Sequence, residues 1–225
     1  ATHTMTGTVV PLLTNYFGPG KMTVNPETGE IYVVDWYSDQ LFVIDPATFT
    51  VTDTVQIGDS LWDLSIDSTG TTLYIADRGL DQVHVVNVAD LTVATSITVG
   101  DDPWGIDLSP DDKYLFVANE DSHDVTVIDA FTNSVTDTIP LAGDADPRDL
   151  DITDDGSAVY VASGSVAGDD SVYVIDTSLF AVVDTISMAP GTNTNVIAVA
   201  PDIGVGIFAD GFESGDTAAW SATVP

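Results

Sequence analysis

One short phrase of apolar and polar positions recurs along the chain. Leu73-Tyr74-Ile75-Ala76-Asp77 is followed, after a polar turn, by Val83-His84-Val85-Val86-Asn87. The phrase returns at 31–35 with 41–45, at 115–119 with 125–129 and at 159–163 with 172–176. Tyr32, Tyr74, Phe116 and Tyr160 occupy its equivalent positions, spaced 42, 42 and 44 residues apart. Such segments are short, rich in β-branched and aromatic residues and bounded by turn formers, so they read as strands. In the second repeat the pattern predicts four of them, at 62–66, 73–76, 83–87 and 92–99. Asp67-Ser68-Thr69-Gly70 joins the first two, with counterparts at 25–29, 109–112 and 153–156 rich in Pro, Asp and Gly. No window carries a helical period.

An all-β chain repeating four strands every forty-odd residues implies a β-propeller with one blade per repeat. At 225 residues it is long enough for one large domain spanning 1–225. Full repeats are expected at 20–60, 61–102, 103–146 and 147–193. The ends complete the picture: 6–10 within 1–19 resembles a fourth strand, and within 194–225 the segments 195–200, 206–210 and 218–224 resemble a first, second and third. Five blades are therefore expected, the last built from both termini so that no sheet edge stays open. The alternative is a closing strand from a neighbouring molecule, giving homo-oligomers that grow into a surface layer or filament.

Tyr74-Ile75-Ala76-Asp77, Phe116-Val117-Ala118-Asn119 and the Val-x-Val-Ile-Asp phrases at 125–129 and 172–176 resemble the YVTN family of β-propeller repeats. So do Pro103-Trp104-Gly105-Ile106 and Ile97-Thr98-Val99-Gly100, and the resemblance covers 20–193. It implies a propeller of the kind found in prokaryotic surface antigens, binding proteins and a few enzymes, and fixes no one activity. The segment 207–220, with Phe212-Glu213-Ser214-Gly215-Asp216 and Trp220, resembles one near the C-termini of secreted bacterial proteins. The chain starts Ala-Thr-His, as signal-peptide removal would leave it. A secreted or cell-surface location is the expectation.

Charge narrows the partners. Thirty-six acidic residues face four basic ones, Lys21, Arg78, Lys113 and Arg148, for a net charge of −32. Such a surface repels nucleic acid and anionic lipid, so no nucleic-acid partner and no membrane insertion are expected. With no cysteine, disulfides and thiolate chemistry are excluded. The acidity fits solubility in a saline or extracellular setting, with Asp serving as a turn residue. It also fits calcium held by loop oxygens, for which Asp101, Asp102, Asp144 and Asp146 are the candidates, although none has EF-hand spacing.

Alternating strand direction puts the loops before each first strand and between second and third strands on one face. Trp62, Trp104 and Arg148, equivalent by repeat, should ring the mouth of the central channel there, with Asp63, Asp149 and Trp36 close by. Aromatic faces beside carboxylates and an arginine suit a sugar or another polar organic ligand, such as a surface glycan or protein. The alternative is that these tryptophans only pack beneath the loops. Separately, Ala1, Thr2 and His3 offer a square-planar nitrogen set for Cu(II) if the terminus is free.

Catalytic signatures are sparse. His84 and His123 have no Ser or Cys partner suggested by spacing, and G-x-S-x-G is absent. Asp63, Asp107, Asp149 and Asp151 are able to approach across the channel and raise one another's pKa values. The expectation is thus a non-enzymatic binding or scaffold module, with a lactonase-like or glycan-cleaving hydrolase and a copper-binding protein as alternatives.

Overall fold

The structure is a computed structural model and describes residues 18–164, 170–188 and 197–199, with the backbone of 207–209. It contains four complete antiparallel sheets of four strands each, and no helix among the described residues. The first blade comprises β1 (Pro19–Val24), β2 (Ile31–Asp35), β3 (Gln40–Asp45) and β4 (Thr50–Gln56). The second comprises β5 (Leu61–Ile66), β6 (Thr72–Asp77), β7 (Gln82–Asn87) and β8 (Thr92–Thr98). The third runs β9 (Pro103–Leu108), β10 (Tyr114–Asn119), β11 (Asp124–Asp129) and β12 (Ser134–Pro140). The fourth runs β13 (Pro147–Ile152), β14 (Ala158–Ser163), β15 (Ser171–Asp176) and β16 (Ala181–Ser187). β17 (Ile197–Val199) and β18 (Ile207–Ala209) pair as the first two strands of a fifth blade. The segments 6–10 and 218–224, expected to complete it, lie outside the described residues.

Side-chain alternation explains why the blades stack. Leu73 and Ile75 point to the first blade, where they join Tyr32, Val34 and Leu41. Tyr74 and Ala76, between them in sequence, point to the third blade and meet Ile106, Leu115 and Val117. Phe116 and Ala118 in turn pack on Leu150, Val159 and Val161 of the fourth. Each middle strand therefore buries both faces, which is why these phrases read as nearly unbroken apolar runs. The outermost strands β4, β8, β12 and β16 are largely exposed and carry Thr, Ser and Asp.

First strands of successive blades lie side by side, β1 on β5, β5 on β9, β9 on β13 and β13 on β17. They line the propeller axis. Their backbones press closest where glycine stands: a Cβ on Gly20 would lie 2.3 Å from the Trp62 carbonyl oxygen, and one on Gly105 2.8 Å from Asp149 Cα.

The abundant Asp is in large part turn chemistry. In the hairpins between third and fourth strands, the Oδ1 atoms of Asp45, Asn87, Asp129 and Asp176 accept backbone N–H bonds from Ala47, Ala89, Thr132 and Ser178. The same hairpins place Phe49, Leu91, Asn133 and Phe180 in the left-handed region, with φ of 55, 55, 53 and 48°.

Candidate functional site

A bulge sets the site. At the start of the first strand of each of the four complete blades one extra residue interrupts the register with the second strand, between Pro19 and Met22, Leu61 and Leu64, Pro103 and Ile106, and Pro147 and Asp149. The interruption falls on Gly20-Lys21, Trp62-Asp63, Trp104-Gly105 and Arg148. An extra residue re-aims the side chains beside it, and here Trp62 and Arg148 serve the mouth while Asp63 and Asp149 serve the axis.

At the mouth the three tryptophans form one strip. Trp62 and Trp104 have ring centroids 4.3 Å apart at 59°, and Trp36 lies 6.4 Å from Trp62 at 47°. Tyr37 meets Trp36 at 88° with centroids 6.1 Å apart. The Arg78 guanidinium stands 3.9 Å from the Trp104 centroid and 5.1 Å from that of Trp62, while Arg148 is 5.5 Å from Trp104. The strip opens outward, since Trp36 is 43% and Tyr37 59% exposed.

The arginines are held by carboxylates. Arg78 donates from Nε and Nη2 to the two oxygens of Asp102 at 2.6 and 2.7 Å, and Trp104 Nε1 donates to the same carboxylate at 3.1 Å. Arg148 donates from Nε and Nη2 to Glu120 Oε1 at 3.0 and 2.7 Å. Burial pushes both acids upward. In Asp102 the donors, Arg78 foremost, overcome burial and hold the carboxyl below its ordinary value. Glu120 stays above its own, because adjacent Asp102 adds to the burial that Arg148 only partly offsets.

Beneath the strip lies a buried ionic group on the axis. The Lys21 ammonium reaches Asp63 Oδ2 at 3.3 Å and also hydrogen-bonds Asp149. Burial disfavours this ammonium, yet the two carboxylates more than compensate and raise its pKa. The acids also stitch blades together: Ile106 N–H donates to Asp63 at 3.1 Å, Ile197 N–H to Asp149 at 2.8 Å and Val199 N–H to Asp151 at 2.6 Å. Burial, aided by the charge of Asp149 and opposed by Lys21, carries Asp63 to about 6. Burial with the charges of Asp151 and Asp63 carries Asp107 to about 7, and burial raises Asp149. Mutual elevation was expected from the sequence; burial is the larger cause.

The loops leading into the mouth are clasped from below. Asp77 Oδ2 accepts the Asp59 N–H at 2.9 Å and faces His84 Nε2 at 2.8 Å, and His84 Nδ1 lies 2.8 Å from Ser96 Oγ. His84 thus has a serine partner, contrary to the expectation from spacing. The arrangement belongs to the fold, for at the same positions of the next blade Asn119 Nδ2 donates to Thr126 Oγ1 at 2.9 Å.

Of the six proposed ligand-contacting residues, Trp36, Trp62, Trp104 and Arg148 share the mouth, and Asp63 and Asp149 lie on the axis bound to Lys21. Asp102 faces Arg78, and Asp146 lies 3.9 Å from His123 Nδ1. Asp101 and Asp144 are exposed in the loops, and no group of three or more His, Asp or Glu residues able to hold one metal ion occurs among the described residues. Ala1, Thr2 and His3 lie outside those residues. Strand direction assigns Arg78 and Glu120 to this face without marking them as ligand contacts, and Lys21 escapes the sequence reading. The available signal was scarcity, since three of only four basic residues converge here. The opposite face holds a cavity of about 380 Å³ lined by Ser109, Asp111, Tyr114, Asp155 and Thr177. There Asp111, Asp155 and Thr177 are engaged in turn hydrogen bonds.

Residues 29–138 match the sequence model of a family described as lactonase, 7-bladed beta-propeller. No curated protein matches the chain. Hydrazine synthase of Kuenenia stuttgartiensis is similar in structure, with a TM-score of 0.79 and 25% identity over 89% of this chain and 57% of that one. The dihydro-heme d1 dehydrogenase NirN in complex with DHE superposes with a TM-score of 0.63 at 14% identity, over 82% of this chain and 40% of that one. The chain thus spans little more than half the length of the first and less than half of the second. The fold is a β-propeller. The names of these proteins cover different activities, so fold likeness alone assigns none.

Proposed function

We propose that this chain is a YVTN-type propeller, secreted or displayed on a prokaryotic cell surface, which acts as a binding module through its axial mouth. Its fifth blade is closed by a strand from 1–19, in this molecule or a neighbouring one. The observation that carries the binding role is the exposed end of the Trp36–Trp62–Trp104 strip, bordered by the Arg78–Asp102 and Arg148–Glu120 pairs. Aromatic area with a few fixed polar groups is what orients a small polar organic ligand. The test is calorimetric titration with a panel of soluble glycans and small polar organic compounds. Saturable binding that Trp36→Ala abolishes supports the reading, and no binding across the panel contradicts it. Deletion of 1–10 tests assembly, because loss of high-molecular-weight species on size exclusion is the expected outcome for strand exchange between molecules.

A second reading, a lactonase-like or glycan-cleaving hydrolase, is favoured by the family match over 29–138 and by the buried axial acids. A carboxyl group poised near neutral pH suits general acid–base work. Turnover of lactones or polysaccharides that disappears in Asp107→Asn and Asp63→Asn would support this reading; unchanged turnover would rule out those acids.

A further inference from the structure

The geometry points to a small organic cation with an alkylated ammonium head, seated against Trp36 at the outer end of the strip, as the ligand of the mouth. This inference rests on the binding role proposed above and narrows it to a ligand class.

Charge is the first argument. Every basic group at the mouth and axis is already set against acid: Arg78 against Asp102, Arg148 against Glu120, and Lys21 against both Asp63 and Asp149. The surrounding loops add exposed Asp59, Asp101, Asp121 and Asp144, with no lysine or further arginine among them. The local field therefore draws cations and repels anions, in line with the net charge of −32.

The rings are the second. Indole faces attract cations through their quadrupole, and a cation within about 6 Å of the centroid is held there. The strip already uses this attraction internally, with Arg78 over Trp104 and Trp62. Trp36 continues the strip outward beyond Arg78, and its neighbours are set at 47° and 88° to it. Angled aromatic walls suit a rounded alkylammonium head better than a flat sugar ring, which stacks on one face. A neutral glycan, moreover, gains nothing from the field.

The experiment is calorimetry on the full chain with choline chloride, its neutral isostere 3,3-dimethyl-1-butanol, and a neutral oligosaccharide, each at low and high salt. Choline should bind at least about tenfold more tightly than the isostere and weaken as salt rises. Trp36→Ala should abolish choline binding and Trp36→Phe should keep part of it; the exposure of Trp36 lets both variants fold, which thermal unfolding checks. Equal affinity for choline and its isostere, or choline binding indifferent to Trp36→Ala, overturns the inference. Trp36-dependent binding of the oligosaccharide without choline overturns the cation class and leaves the binding role standing. Binding of none of the three overturns the cation class, and the wider panel above then decides the binding role.

Discussion

Lys21 and Asp149 are 128 positions apart, on the first strands of the first and fourth blades, and hydrogen-bond to each other at the propeller axis. Asp63 of the second blade joins them at 3.3 Å from the same ammonium. One lysine thus draws three blades together at the buried acids Asp63 and Asp149.

Removing that lysine should be felt throughout the ring. In Lys21→Met the carboxylates of Asp63 and Asp149 lose their counterion while remaining buried. Breaking a buried pair in this way costs about 3–5 kcal/mol. Because the lysine side chain is 39% exposed, the loss expected here is lower, about 2–3 kcal/mol at neutral pH. Urea unfolding measures it, and the deficit should shrink as pH falls toward 6, because without Lys21 the Asp63 carboxyl takes up its proton above its wild-type value of about 6.

Stability should peak in mildly acidic solution. Asp63 at about 6 and Asp107 at about 7 hold protons more tightly folded than unfolded, the ordinary value being 3.8. Between these limits the folded state binds more protons, so stability falls as pH rises from about 4 to 7 and then levels off. The two acids together contribute on the order of 7 kcal/mol across that window. Asp45, Asp129 and Asp176, held low by turn hydrogen bonds, act oppositely: their contribution is present above about pH 4 and lost below it. Thermal unfolding should give the highest Tm near pH 4, and Asp107→Asn should flatten the decline between pH 4 and 7.

Gly105 of the third blade lies directly against the backbone of the fourth. The atoms an added Cβ would meet, Asp149 Cα at 2.8 Å, Arg148 O at 3.1 Å and Leu150 N at 3.1 Å, are all backbone and cannot rotate away. Gly105→Ala should destabilise by about 1–3 kcal/mol through overpacking, read by urea unfolding.

Phe49 offers the opposite case. It holds φ at 55° and is 60% exposed, so its ring recovers little of the strain of a left-handed conformation. Phe49→Gly should raise stability by about 1 kcal/mol.

How much the sequence disclosed follows from which features repeat. Tyr32, Tyr74, Phe116 and Tyr160 mark the blades because middle strands bury both faces, which keeps their composition narrow. Trp62, Trp104 and Arg148 were legible as mouth residues because repeat equivalence carries each to the same height on the axis. Lys21 shares that equivalence with Asp63, Gly105 and Asp149, but its partners lie across the ring, and no local pattern encodes a distance across the ring. Arg78 and Glu120 lie in loops that strand direction assigns to this face, but their ion pairs with Asp102 and Arg148 join one blade to the next, and no local pattern encodes them. The Asp77–His84 contact spans seven positions around a turn, a spacing that matches neither strand alternation nor any known motif.

First strands of successive blades circle one axis with Lys21 at its centre. A double-mutant cycle of Lys21→Met and Asp149→Asn, followed by urea unfolding at neutral pH, tests this most directly. The predicted coupling is about 2 kcal/mol, since residues that share a buried ion pair are strongly non-additive. Additivity within about 0.3 kcal/mol, the behaviour of distant sites, would contradict the radial arrangement.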